Sequence, residues 1–165
     1  MSKPKRGIPR NAFVWTLGVL TFLGIVTYVV YTQMSKSASR QAIEYAKTQL
    51  AKKRYYKAMN AVAVAMHHDK TNPDVYFLWG QVELEKYHNY PQCAYCFSQA
   101  IEYSEEPSAA LFFLRGKCYY KSKKFKKALA DFKKASQSKG KEQVDSLQFY
   151  LKRTEGDLDL MTDFN

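Results

Sequence analysis

Three stretches decide the reading of this chain: RYYKAMNAVAVA over 54–65, NYPQCAYCFSQA over 89–100 and KFKKALADFKKA over 124–135. Laid one over another, they agree at a spacing of 35 residues. Tyr55, Tyr90 and Phe125 share a column, as do Ala58, Cys93 and Ala128. Val62, Phe97 and Phe132 form a third column, and Ala65, Ala100 and Ala135 a fourth. Within each stretch, the apolar residues recur every three or four positions, the period of a helix with one buried face. Four columns in one period, with no slippage, describe a repeated structural unit.

Each stretch follows another helical segment: RQAIEYAKTQLAKK, DVYFLWGQVELEKY and AALFFLRGKCYYKS. Pro73 and Pro107 stand between units, where a helix has to begin or end. The unit is therefore a helical hairpin. Ala46, Gly80 and Gly116, facing the Ala58, Cys93 and Ala128 column, let its two helices approach closely. The aromatic residues fill the wedge between one hairpin and the next.

The pattern resembles the tetratricopeptide repeat, W-x2-L-G-x2-Y followed by A-x3-F-x2-A and Pro. The third unit carries it best, with Phe112, Gly116, Tyr119, Ala128, Phe132 and Ala135 in register. The second keeps Tyr76, Trp79, Gly80, Phe97 and Ala100, with Cys93 for the usual Ala and one extra residue in its turn. The first is degenerate, with Ala46 for Gly and Val62 for the aromatic. Three such repeats are expected over 39–140, capped by a helix over 141–153 whose stripe is Val144, Leu147 and Leu151.

Ahead of the repeats lies AFVWTLGVLTFLGIVTYVVY, residues 12–31, twenty positions without a charge, Asn, Gln or Pro. A helix of that length spans about 30 Å, the thickness of a hydrocarbon core. Trp15, Tyr28 and Tyr31 suit its two interfaces. The segment exceeds the usual signal-peptide core and no A-x-A site follows at the right distance, so it reads as a retained single-pass anchor. A basic segment, 1–11, precedes it with Lys3, Lys5, Arg6 and Arg10. That charge bias leans towards an N-terminus on the positive-inside face with the repeats opposite. The connector 32–38 is too short for a flexible tether and is able to continue the membrane helix into the first repeat. The fold class expected is all-α: one transmembrane helix, three hairpins and a capping helix.

The net charge of +11 is unevenly distributed. Between Arg115 and Lys141 eleven bases face one acid, Asp131, while the acidic tail, 154–165, carries Glu155, Asp157, Asp159 and Asp163 with no base after Glu155. The tail is expected either to be unfolded alone or to dock on a basic surface, the Lys-rich third unit among them. The basic patch comprises Lys123, Lys124, Lys126, Lys127, Lys133 and Lys134. It reads as a solvated face, a contact for anionic lipid, or a contact for an acidic protein. Nucleic acid is disfavoured by the anchor and by the absence of a recognition motif.

No catalytic motif is present: there is no G-x-S-x-G, P-loop or H-E-x-x-H. Cys93-x2-Cys96 lacks a second ligand pair and reads as packing, with a bridge from Cys118 to Cys93 or Cys96 open if the domain faces an oxidising compartment. His67, His68 and His88 are not spaced as ligands. No cofactor, metal or small-molecule substrate is expected, and no enzyme activity.

The resemblance implies a concave groove lined by the first helix of each hairpin. It places there Ile43, Lys47 and Leu50 from unit one, Phe77, Gln81 and Leu84 from unit two, and Phe113, Lys117, Tyr120 and Lys121 from unit three. Such a groove is apolar with a basic end and suits an amphipathic or acid-terminated segment. Ile43, Ala110 and Leu114 stand where the family's chaperone-tail clamp wants polar or basic groups. The expected function is a membrane-anchored protein-interaction module, as an accessory or scaffold subunit of a membrane complex. The alternative is a receptor for targeting segments or partner helices in protein import or organelle dynamics. The layout is similar to that of mitochondrial membrane-anchored repeat proteins, which implies a mitochondrial membrane, inner or outer.

Overall fold

The computed structural model describes residues 10–138 and 146–163, and every regular element among them is helical. α1 spans Arg10–Ala51, α2 Tyr55–His68, α3 Pro73–Val82, α4 Tyr90–Tyr103, α5 Ala109–Lys121, α6 Phe125–Gln137 and α7 Leu147–Asp163. Helices α1–α2, α3–α4 and α5–α6 are the three hairpins, and α7 packs against α6.

Three of the four columns read from sequence are core, while Tyr55, Tyr90 and Phe125 are only partly buried. Ala58, Cys93, Ala128, Phe97, Phe132, Ala65, Ala100 and Ala135 are almost entirely out of solvent, and Val62 nearly so. The aromatic of the second helix sits on the glycine of the first. A Cβ built on Gly80 would stand 2.9 Å from Phe97 Cζ, and one on Gly116 would stand 2.6 Å from Phe132 Cε1. Each glycine is therefore required by the close approach of a ring. Three apolar clusters follow along the stack, and Met66, Phe77 and Trp79 border both the first and the second.

The turns inside the hairpins repeat as well. Lys53, His88 and Lys123, spaced by 35, all have left-handed backbones, with φ of 54°, 53° and 59°. In units one and three the amide after each donates five residues back: Arg54 N–H to Gln49 O at 2.9 Å and Lys124 N–H to Tyr119 O at 2.9 Å. This is a Schellman cap with lysine in the position that favours glycine. The extra residue of unit two is absorbed as a π-turn, Glu83–Tyr87, so that Asn89 N–H reaches Glu83 O, six residues back. Replacing Lys123 by Gly relieves the Cβ strain at φ 59°. The expected result is an unchanged or slightly higher melting temperature, a gain of at most about 1 kcal/mol. A loss of more than that on thermal denaturation would refute the reading of this turn. Between units, Asn72 accepts from Asp74 N–H at 3.0 Å with Pro73 in the first turn, which fixes the start of α3.

At one end the connector continues the helix, as its length allowed, and at the other the structure departs from the sequence reading. Residues 32–38 are helical, so α1 runs through 42 residues, from the apolar stretch to the end of the first repeat helix. Its length is about 63 Å. Side chains 15–31 are all exposed, and Ser35 already bonds α2, its hydroxyl donating to His68 O at 2.8 Å. At the other end, the capping helix does not stop at Arg153: α7 continues to Asp163 and takes the acidic stretch with it. Its expected first turn, with Val144, lies outside the described residues, as do Phe164 and the basic positions Lys3, Lys5 and Arg6.

Candidate functional site

The ten residues expected to line a groove on α1, α3 and α5 divide into three groups. Lys47, Leu50, Phe77 and Gln81 line one open cleft of about 470 Å³, with Lys53 and Glu85 at its rim. Phe77 also borders a second cleft of about 290 Å³, formed with Pro73, Asp74, Ala110 and Leu111. Ile43 is not available to a ligand, because it is buried in the first cluster. Leu84 packs on the second cluster instead.

The third group is covered by α7. Tyr150 meets Phe113 and Tyr120 edge to face, with centroids 5.5 and 5.7 Å apart, and Lys117 Nζ lies 5.7 Å from the Tyr150 ring. Tyr120 donates its hydroxyl to Asp157 at 2.6 Å and accepts from Arg153 Nε at 2.8 Å. Burial, and then the Asp157 acceptor, push the Tyr120 phenol above its ordinary value. Burial, and then repulsion from Lys121, hold Lys117 below the ordinary lysine range. Of the four unit-three groove residues, only Lys121 is exposed.

The groove is consequently less basic than its sequence implied. Lys47 is paired to Glu44 at 3.0 Å and to Asp74 at 3.4 Å, and the Glu44 bond is the main reason its ammonium is held above the usual range. The lysines of the basic patch are exposed, and several stand beside α7. Lys123, Lys124, Lys126 and Lys127 line a cleft with Phe125, Leu158 and Met161 of α7, and Lys133 stands 4.0 Å from Glu155. Lys127 and Lys134 lie over the Tyr119 and Phe112 rings. Helix formation carries Glu155 to Lys133 and Asp157 to Tyr120 of the most basic unit, where acidic charge is favoured.

Two contacts were not legible as such in the sequence. Arg115 and Asp131 form a two-point ion pair, Nε to Oδ2 and Nη2 to Oδ1, both 2.7 Å, with a third bond from Nη1 to Ser98 Oγ at 3.2 Å. Cys93 and Cys118 are disulfide-bonded, with Cα atoms 6.0 Å apart, joining α4 of unit two to α5 of unit three. Cys93 thus does more than fill the small-residue column. Cys96 is free and buried, and burial pushes its thiol up to about 12. Thiolate is the reactive species, so Cys96 should resist alkylation in the folded protein. The expected count is one labelled cysteine after denaturation without reductant and three with it. Three without reductant would disprove the bridge.

Among the described residues, no group of three or more His, Cys, Asp or Glu could hold a metal ion. His67 and His68 touch ring to ring, whereas the His88 Nδ1 is 3.0 Å from Leu84 O.

No protein-family profile and no curated protein matches the chain. Solved structures do. The Arabidopsis OM64 TPR domain superposes with a TM-score of 0.66 at 21% identity, covering 73% of this chain and 96% of that one. The first TPR of Spaghetti (RPAP3), bound to the HSP90 peptide SRMEEVD, gives 0.68 at 12% identity, covering 75% and 95%. The TPR2B domain of yeast Sti1, in its pHsp70 complex, gives 0.65 at 13%, covering 73% and 98%. The fold is a tetratricopeptide-repeat fold. At these identities the tetratricopeptide likeness concerns the path of the helices, and the groove residues have to be read from this chain alone.

Proposed function

We propose that this protein is a non-catalytic, membrane-anchored interaction subunit, an accessory or scaffold component of a membrane protein complex, with a mitochondrial membrane as its address. The observation that carries the proposal is the continuity of α1. Its N-terminal half is apolar and unburied, with a mean hydropathy of 1.6 over its best window. Its C-terminal half is the first repeat helix. Four residues, about 6 Å of rise, separate Tyr31 from Ser35, the first residue that bonds α2. A helix without a hinge holds the repeat domain against the bilayer at one angle, which suits docking on a neighbour in the same membrane better than sampling solvent.

The solved tetratricopeptide domains that bind HSP90 and HSP70 peptides support protein, not small-molecule, partners for the open cleft around Phe77. The Cys93–Cys118 bridge favours an oxidising compartment for the repeats. It leans the same way as the basic flank before the anchor, which puts the repeats opposite the positive-inside face. The mitochondrial address rests on the similarity of layout to membrane-anchored repeat proteins of that organelle.

The test is gentle detergent extraction of the tagged chain, native electrophoresis and mass spectrometry of what co-migrates. Stoichiometric migration with one large assembly is the expected outcome. A small free species with many substoichiometric partners would overturn it in favour of a receptor for targeting segments.

A further inference from the structure

Within this chain, each later hairpin shows what its leading face is for. Val75 of α3 is fully buried in one cluster with Ala61, Val62 and Ala65 of α2. One repeat on, Leu111 of α5 is buried with Cys93, Phe97 and Ala100 of α4. On the same face Arg115 reaches Ser98 of α4, and Cys118 is bonded to Cys93 of α4. The leading face of a hairpin is thus a seat for one helix, the second helix of the unit before.

The first hairpin has the same seat, and among the described residues none from elsewhere in the chain fills it. Gln41, Ala42 and Tyr45 occupy the positions of Val75, Tyr76 and Trp79. Ala38, Gln41, Ala42, Tyr45, Lys57, Asn60, Ala61 and Val64 line an open groove of about 610 Å³ between α1 and α2. Tyr45 is 49% and Val64 51% exposed, although both are large apolar side chains. The small floor residues Ala38, Ala42 and Ala61 admit a helix backbone closely, as small residues do in packed helix pairs. From Ala38 to Tyr45 the groove is roughly 10 Å long, two turns of an occupant. Gln41 and Asn60 keep it wettable, so the hairpin remains in water until the partner arrives.

We propose that this groove seats an α-helix of a partner membrane protein, one that rises from the bilayer beside α1 and presents an Asp or Glu to Lys57. Charge selects the occupant. Lys57 is the one ionisable group other than tyrosine in the described lining, and no acid accompanies it, so two copies paired groove to groove would bring lysine to an already positive seat. Position selects it too. The Ala38 end of the groove lies seven residues, about 10 Å, above Tyr31 on the same unbroken helix. The partner helix therefore enters within two turns of its own membrane exit.

This inference rests on the reading of the protein as a membrane-complex subunit, and its test separates the two. The full-length chain carries a photoreactive phenylalanine analogue at Val64, or at Gln81 in the Phe77 cleft as a control, and is irradiated in native membranes. The expected Val64 product maps to one partner, in a peptide adjoining a transmembrane segment and bearing Asp or Glu, and it is absent from Gln81. Lys57→Glu should lower the assembled fraction on native gels at least tenfold with an unchanged melting curve, and a Lys at the partner's acid should restore it. Wild-type protein that assembles while Lys57→Glu assembles equally well, or a Val64 product that is a second copy of this chain, overturns the groove alone. Wild-type protein that never co-migrates with an assembly overturns both.

Discussion

Replacing Asp131 by Ala is expected to destabilise the repeat domain by about 3–5 kcal/mol, the range found when one partner of a buried ion pair is removed. Asp131 is 5% exposed at its side chain and Arg115 16%, so neither charge is relieved by solvent once the other is gone. The guanidinium would keep only Ser98 Oγ and the faces of Phe112 and Tyr119, whose centroids lie 5.9 and 6.0 Å away. Thermal unfolding of the full chain in detergent, followed by far-ultraviolet circular dichroism, should show a fall of about 15 °C or more for a domain of this size. The double variant Arg115→Met with Asp131→Leu should recover most of the loss, because it removes both desolvation costs and keeps the volume. Equal damage from the double and the single variant would mean that packing, not charge pairing, holds α5 to α6.

The second large effect is expected at Phe132, which is fully buried between Gly116, Phe113 and Tyr150. Phe132→Ala should lose about 3–5 kcal/mol through transfer and cavity terms together. That is a large part of the stability of any small domain. The same contact is sensitive from its other side. Gly116→Ala gains up to about 1 kcal/mol of helix propensity, yet puts a methyl 2.6 Å from the ring edge. Overpacking of that kind costs about 1–3 kcal/mol, so the net change should be destabilising and should shrink when Phe132 is also made Leu. Gly80→Ala should be milder, since its Cβ would meet only the tip of Phe97 at 2.9 Å. A stabilised Gly116→Ala protein would contradict the close approach.

The groove shows where sequence reasoning reached and where it stopped. Lys47, Leu50, Phe77 and Gln81 are brought together as the repeat register implied. Ile43 was misplaced because a register fixes which helix a residue is on, but a shift of one position on a helix surface decides between groove and core. Phe113, Lys117 and Tyr120 were placed on the correct helix and are nonetheless covered. The charge of the tail offered the Lys-rich unit as one docking surface, but nothing local in LQFYLKRTEGDLDL says that Tyr150 and Asp157 will reach α5, 37 residues earlier in the case of Asp157.

The sequence by itself determined the three hairpins, their 35-residue period, the small residues that let paired helices approach and a stretch long and apolar enough to span a bilayer. These are features of local periodicity, in which a helix face is written every three or four residues and repetition confirms it. Only the tertiary structure decided which cysteine Cys118 meets, that Arg115 answers Asp131, that the acidic stretch folds as part of α7, and that the seat used twice inside the stack stands open on the first hairpin. Each of those depends on side chains that chain geometry brings together from distant positions, and residue spacing carries no record of the angle at which one hairpin is laid upon the next.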